Sequence, residues 1–297
     1  MNLRDAGYFT AGLGFLALAK AKHVLRGYSS PKPFDLSQTD RCVAYDTQVV
    51  RDWLRELARY SGGDTDLRGK DILELGPGSD LGVGLLLLAQ GATSYNACDV
   101  HDLAKHAPPA FYEALFSSLS GAEGVNIATL REALRESLAG RPSRLNYVVR
   151  SDFDIAAAFG PATIDMVFSQ AAFEHFDDID AVVRRLTRVC RPGARIVAEI
   201  DLKTHSRWVR DHDPNNIYRF PDPLYNMFRF RGIPNRVRPY QYAQAFERNG
   251  WIDIQMRPLT EVQGANGVST GGFSRRFRDE VNQMKHLTIA LCARRPA

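Results

Sequence analysis

The sequence predicts an α/β fold, a mostly parallel sheet with helices on both faces, and three observations carry that expectation. An apolar run breaks at a glycine-rich turn and resumes as a second apolar stretch over residues 72–89. Strand-like runs and helix-period segments then alternate as far as residue 200. Composition is the third: 297 residues with 44% hydrophobic and 24% charged content supply an ample core and give no reason for long disorder.

Residues 1–65 read as mostly helical, interrupted by Ser29-Ser30-Pro31-Lys32-Pro33. The uncharged run AGLGFLALA at 11–19 precedes Lys20, Lys22 and Arg26. It is too short to span a bilayer and lacks a signal-peptide cleavage site. It is expected to pack over a pocket or into a contact between copies of the chain, with membrane contact the lesser alternative. Residues 46–60 place Val49, Val50, Trp53, Leu54 and Leu57 on one helical face, and Ser61-Gly62-Gly63-Asp64 ends that helix.

The segment ILELGPGSDLGVG, residues 72–84, is a buried strand, a tight turn and a helix start, with Glu74 near the strand's end. A Cβ at Gly76 or Gly78 would block the turn or the close approach of a ligand. The amides at the following helix's N-terminus favour a polar or anionic group. Glu74 would repel a pyrophosphate and attract a cationic amino group. The spacing G-x-G-x-x-x-G also departs from the dinucleotide pattern G-x-G-x-x-G.

A second strand at 94–100 carries Asp99, about twenty residues past the loop, where a ribose-binding acid belongs in such a sheet. Its plainer reading is a strand-end cap. A third strand, 145–149, runs into Ser151-Asp152-Phe153. Asp152 could accept from an adenine amino group with Phe153 against the ring, or simply cap a helix. Inserts are expected at 103–144, with helical patterns at 111–119 and 127–138, and at 204–240. Residues 241–249 read as a helix ended by Gly250; 251–256 and 286–293 read as the last strands, joined through the glycine-rich stretch 264–272.

The series LELGPG, ACDV, SDFD, IDMVFSQAAFEHF and RVCRPGARIVAEI resembles, in order, the class I S-adenosylmethionine-dependent methyltransferases, most closely the small-molecule group, over about residues 70–200. The resemblance implies a Rossmann-like, seven-stranded, mostly parallel sheet with an antiparallel C-terminal hairpin. S-adenosyl-L-methionine would be the cofactor. Glu74 and the backbone of Gly76 and Gly78 would hold the methionine end, Asp99 with Val100 the ribose, and Asp152 with Phe153 the adenine. Ser169 and Gln170 would edge the methyl donor. Asp80 departs from the pattern, which commonly has a smaller residue there. Residues 1–65 form a helical cap or lid in this reading, and 66–297 the core, with the inserts capping the pocket.

Methyl transfer is an in-line displacement from an activated donor, so the protein must position the acceptor and, where needed, remove its proton. No metal is demanded. His205, just past the fifth strand, is the first candidate base, His175 in Phe173-Glu174-His175-Phe176 the second, and Asp201 an orienting group. Either histidine has a structural role as its plainer reading. Between His205 and Tyr242 seven arginines face only three acids, with aromatics interleaved. Arg229, Arg231, Arg236 and Tyr240 are therefore candidates for a partly apolar, anionic small-molecule acceptor, the alternative being a solvated surface. O-methylation of a natural product or sugar derivative is the expected reaction. C-methylation of a prenyl diphosphate or lipid, or a non-catalytic scaffold, are the alternatives. The net charge of +4, with no lysine-rich run, gives no ground for nucleic-acid binding. Four dispersed cysteines without Cys-x-x-Cys spacing point to the reducing cytoplasm.

Overall fold

A computed structural model of the chain describes residues 3–27, 35, 37–262 and 272–297. The expected break at Ser29–Pro33 and all but the last residue of the stretch 264–272 lie outside them. Five parallel strands form most of one sheet: β1 (Asp71–Leu75), β2 (Ser94–Asp99), β3 (Leu145–Val149), β4 (Ile164–Gln170) and β5 (Cys190–Asp201). Two antiparallel strands, β6 (Ile252–Glu261) and β7 (His286–Arg294), complete it in the order β3-β2-β1-β4-β5-β7-β6. β7 thus lies between β5 and β6. The mostly parallel seven-stranded sheet and its antiparallel C-terminal pair are as expected, with β6 running several residues further.

The period-two alternation of strands divides the core into two layers. Ile72, Tyr95, Ala97 and Phe168 face one side of the sheet. Leu73, Leu75, Cys98 and Val167 face the other. The first side is covered by α1's neighbour in sequence, α2 (Thr39–Ser61), and by α3 (Gly82–Ala89), α4 (Pro109–Leu119) and α5 (Ile127–Leu138). Here α1 denotes Leu3–Arg26. The second side is covered by α6 (Ile155–Phe159), α7 (Ile179–Val189) and α10 (Pro239–Arg248), the short helices α8 (Arg207–Arg210) and α9 (Asp222–Met227) lying in the insert before α10.

α2 is amphipathic with Val49, Val50, Trp53 and Leu57 buried, and Gly62 ends it in the left-handed conformation, φ 70°. Its Trp53 stacks on Phe168 of β4, centroids 4.9 Å apart and planes 8° apart. α2 is therefore a layer of the core. The insert at 103–144 joins the same layer through Phe111, Leu115, Leu130 and Leu134, and none of its residues roofs the cavity described below.

The second insert and α1 build a separate small core of Leu16, Ile217, Tyr218, Phe220 and Tyr225. The junction is polar as well as apolar. Buried Arg219 bonds Asp5 of α1 at 2.8 Å and Asp213 at 2.7 Å, and the Asn216 amide donates to the Tyr8 carbonyl. Gly12 permits this contact, since a Cβ there would sit 1.8 Å from the Asn216 side-chain oxygen. Leu18, Val24 and Leu25 of α1 stay exposed. Among the described residues no helix is long and apolar enough to cross a membrane.

Replacing Trp53 with alanine removes a fully buried indole from between α2 and the sheet. The expected loss is about 3–5 kcal/mol, read as a lower denaturation midpoint with an unchanged slope. A loss under about 1 kcal/mol would show that α2 is only loosely attached.

Candidate functional site

β1 lies where the strand order reverses, β2 on one side and β4 on the other, so a crevice opens beyond the carboxyl ends of β1, β2 and β4. A cavity of about 490 Å³ occupies it. The chain leaves β1 through Gly76 (φ 72°) and Gly78 (φ 77°), both in the left-handed region. A Cβ on Gly76 would lie 3.0 Å from that of Ala172. The Gly76 amide donates to the Cys98 carbonyl at 2.9 Å and the Gly78 amide to Asp99 Oδ2 at 3.2 Å, which ties the turn to the end of β2. α3 then packs tightly on β2: a Cβ at Gly84 would fall 2.5 Å from the Tyr95 ring.

Three buried carboxylates line the inner end of this cavity: Asp46 of α2, Glu74 of β1 and Asp99 of β2. The Tyr95 hydroxyl donates to Glu74 Oε2 at 2.5 Å. Burial and the neighbouring Glu74 push the Tyr95 phenol well above its ordinary range, so it stays a donor. Asp99 accepts from the amides of Val100 (2.6 Å) and His101 (3.0 Å) besides Gly78. Burial raises the Asp99 carboxyl above its ordinary value, and those amides oppose the rise. Asp80, the departure in the loop, is buried and turns its carboxylate onto the Gly82 amide at 2.9 Å, a local brace for the start of α3.

Glu74, Gly76, Gly78, Asp99, Val100, Asp152, Phe153, Gln170 and His175 all line the one cavity. Asp152 sits at its exposed rim, paired with Arg150 at 2.9 Å, which holds the carboxyl down at about 2. The helix cap is Asp154 instead, its side chain accepting from the amides of Ala156 and Ala157. Phe153 has a left-handed φ of 49° and tilts against Phe176, centroids 4.8 Å apart.

Other expected positions fall elsewhere. Ser169 is fully buried, donates to the Leu75 carbonyl at 3.3 Å and does not reach the cavity, because alternate residues of β4 point through the sheet. Of the insert's candidates only Arg231 lines the cavity, bonding the Ser151 carbonyl. Arg229 pairs with exposed Asp177. Arg236 is 3% exposed, donates to the carbonyls of Ile217 and Phe220 and to Asp222, and lies 4.0 Å over the Tyr225 ring. Tyr240 lies in α10, away from the cavity. The arginines of an irregular segment have found orphaned carbonyls, which a count of charges does not reveal.

His175 and His205 stand edge to face, centroids 4.9 Å apart. Burial, then His205, lowers His175 to about 4. Burial lowers His205 too, and its Nδ1 lies 3.0 Å from the Lys203 carbonyl. Asp201 is held by Arg210 at 2.6 Å and the Lys203 amide at 2.9 Å, and neither it nor His205 lines the cavity. Within 4.8 Å ligand-atom reach of both imidazoles lies Glu174, 2% exposed, whose carboxyl burial and then Asp201 push well above its ordinary range. Sequence reasoning also missed Tyr45, Asp46 and Val49 of α2 as wall residues. The signal was present: Asp46 shares the helical face of Val49, Val50 and Trp53.

Residues 114–198, from α4 to β5, match the family described as "Methyltransferase domain". No curated protein matches the chain in sequence. Many solved structures are similar in shape. One is Haemonchus contortus phosphoethanolamine N-methyltransferase 2 in complex with S-adenosyl-L-methionine, at 15% identity and TM-score 0.45, covering 83% of this chain and 53% of that one. The chain thus spans about half that enzyme's length. A second is an S-adenosylmethionine-dependent methyltransferase from Mesorhizobium loti (13% identity, TM-score 0.45, 81% and 97% covered). A third is one from Methanosarcina mazei (14%, 0.44, 77% and 93%). The sheet order and the left-handed glycine turn are those expected of a Rossmann-like methyltransferase fold, and residues 114–198 carry the match to a methyltransferase domain.

The state of Glu174 has a consequence for stability. Burial, then Asp201, raises its carboxyl well above the ordinary 4.5 in the folded chain, while it ionises near 4.5 when unfolded. Stability is therefore fully present below that value and lost as pH rises towards the folded pKa, by up to about 1.4 kcal/mol per pH unit. Denaturation in EDTA between about pH 5 and 7 should show this fall relative to Glu174→Gln. Parallel curves for the two proteins would mean that the buried carboxyl is already ionised.

Proposed function

We propose that the cavity binds S-adenosylmethionine and that the chain transfers its methyl group to a small-molecule acceptor, most simply to an oxygen atom. The observation that carries this reading is the set of buried carboxylates, Asp46, Glu74 and Asp99, beside a left-handed glycine turn. Such a wall repels phosphates and suits a ligand bearing an ammonium, a sulfonium and a pair of hydroxyls. In this reading Glu74 and the backbone of Gly76 and Gly78 take the methionine end, while Asp99, beside Val100, accepts from the ribose hydroxyls. Asp152 and Phe153 take the adenine at the rim, and Gln170 borders the sulfonium. A cavity of about 490 Å³ is of the size that encloses one cofactor.

The acceptor then enters beside His175, where an imidazole, the Phe176 ring and the Arg231 guanidinium join the acids Asp177 and Asp178 in the wall. An anionic, partly apolar small molecule fits that ring and guanidinium, a natural product or sugar derivative being the class we favour. His175 and His205, both kept neutral by burial at physiological pH, are the groups able to take a proton from an acceptor hydroxyl, directly or through water.

Calorimetry tests the cofactor reading. S-adenosylmethionine should bind with a dissociation constant on the order of tens of micromolar or tighter, and Asp99→Ala should weaken it by about 1–3 kcal/mol, roughly tenfold to a hundredfold. Methyl from labelled donor should appear in the small-molecule fraction of a cell extract. Absence of cofactor binding by the folded protein would overturn the assignment.

A further inference from the structure

The turn after β4 carries Glu174 and His175, of which His175 lines the cavity, and the segment after β5 carries His205. One ligand-type atom from each lies within 4.8 Å of the other two. Glu174 is 2% exposed, and neither carboxylate oxygen has a partner at ordinary hydrogen-bond geometry, the backbone amides of Glu174 and Asp201 standing close enough only to favour its charged form. His175 Nδ1 is likewise buried without a partner. A buried carboxylate and a buried imidazole nitrogen without a partner, with His205 close by, call for a common partner.

The backbone decides which ring nitrogens are available. A carbonyl only accepts, so the Lys203 carbonyl at 3.0 Å places the proton of His205 on Nδ1 and leaves the Nε2 lone pair open. The backbone of Gly232 engages the His175 ring, leaving its Nδ1 lone pair towards the cluster. Imidazoles that give their second N–H to main-chain carbonyls are held as metal-ligating histidines are held. A single proton on Glu174 could satisfy the His175 nitrogen and would leave the second carboxylate oxygen without a partner. A divalent cation satisfies all three groups at once.

We propose that Glu174, His175 and His205 bind one divalent cation of the Zn²⁺ type at the acceptor end of the cavity. Two imidazole nitrogens and one carboxylate suit such borderline ions and disfavour Mg²⁺, which prefers an all-oxygen shell. The turn is braced for the task. The Asn235 amide donates to the Glu174 carbonyl at 2.7 Å, and its side chain donates to the carbonyls of Phe173 and Phe176. His175 is also part of the cavity wall, so an ion held there would lie beside the space open to an acceptor. The inference rests on the methyltransferase reading for that last role, an oxygen donor of the acceptor completing the coordination.

The test uses the full chain, stripped with chelator, dialysed and titrated with Zn²⁺ by calorimetry, while S-adenosylhomocysteine is titrated separately. One equivalent should bind at about micromolar affinity or tighter. Glu174→Gln and His205→Asn should each weaken Zn²⁺ at least tenfold, leaving S-adenosylhomocysteine affinity within about twofold. With Co²⁺ in place of Zn²⁺, both variants should lose the visible absorption of the wild type. Absence of stoichiometric Zn²⁺ binding by the folded wild type, or binding unchanged by both substitutions, would overturn the proposal, and the wild-type titration decides even where a variant fails to fold. Zn²⁺ binding without S-adenosylhomocysteine binding would uphold the metal site and sink only the methyltransferase reading.

Discussion

The cavity depends on a carboxylate taken out of water at the end of a central strand. Glu74 is held there by the Tyr95 hydroxyl, and Tyr95 is held in turn by the flat, Cβ-free face that Gly84 offers to its ring. Asp99 closes the same circuit by fastening the Gly78 amide to the end of β2. Buried polar groups arranged in this way must all be satisfied together, since losing one member leaves the next desolvated and unpaired. The result is an acidic wall made from β1, β2 and the start of α3, the feature on which the proposed binding of a cationic cofactor rests.

The ends of β4 and β5 follow a different rule. Glu174, His175 and His205 come from two separate strand ends and meet only because β4 and β5 run parallel side by side. Their neutrality is a product of burial, which penalises the charged form of a carboxyl and of an imidazole alike. The cavity is thus walled by carboxylates at the end of β1 and β2 and by the His175 imidazole after β4, with Glu174 and His205 behind it. That arrangement suits a cationic donor and an oxygen-bearing acceptor.

The arginine-rich insert shows how a charge pattern can mislead. Arg236 and Arg238 are almost wholly buried, and Arg238 donates to the main-chain carbonyls of Asn282, Gln283 and His286 and approaches the Tyr218 hydroxyl. Arg219 joins the insert to α1 through Asp5. A segment with little regular structure leaves carbonyls without ladder partners, and the forked guanidinium can serve several of them at once. These cations fasten α1 and the insert to the sheet. Arg231 alone of the substrate candidates reaches the cavity.

What the sequence determined by itself was local. Chain-near forces dictate the strand that ends in Glu74, the glycines that turn left-handed after it, the acid closing β2 and the apolar face of α2, and each leaves its mark in residue type and spacing. Those marks sufficed for the fold and for most of the acidic wall. Tertiary structure decided what depends on contacts between distant segments. It buried Ser169 through the sheet's alternation, turned Arg236 inward to its carbonyls, placed Asp46 beside the glycine turn, and set His205 against Glu174 and His175. No spacing along the chain encodes such meetings, because they follow from which strands lie side by side and which polar groups each strand end leaves for the other to satisfy.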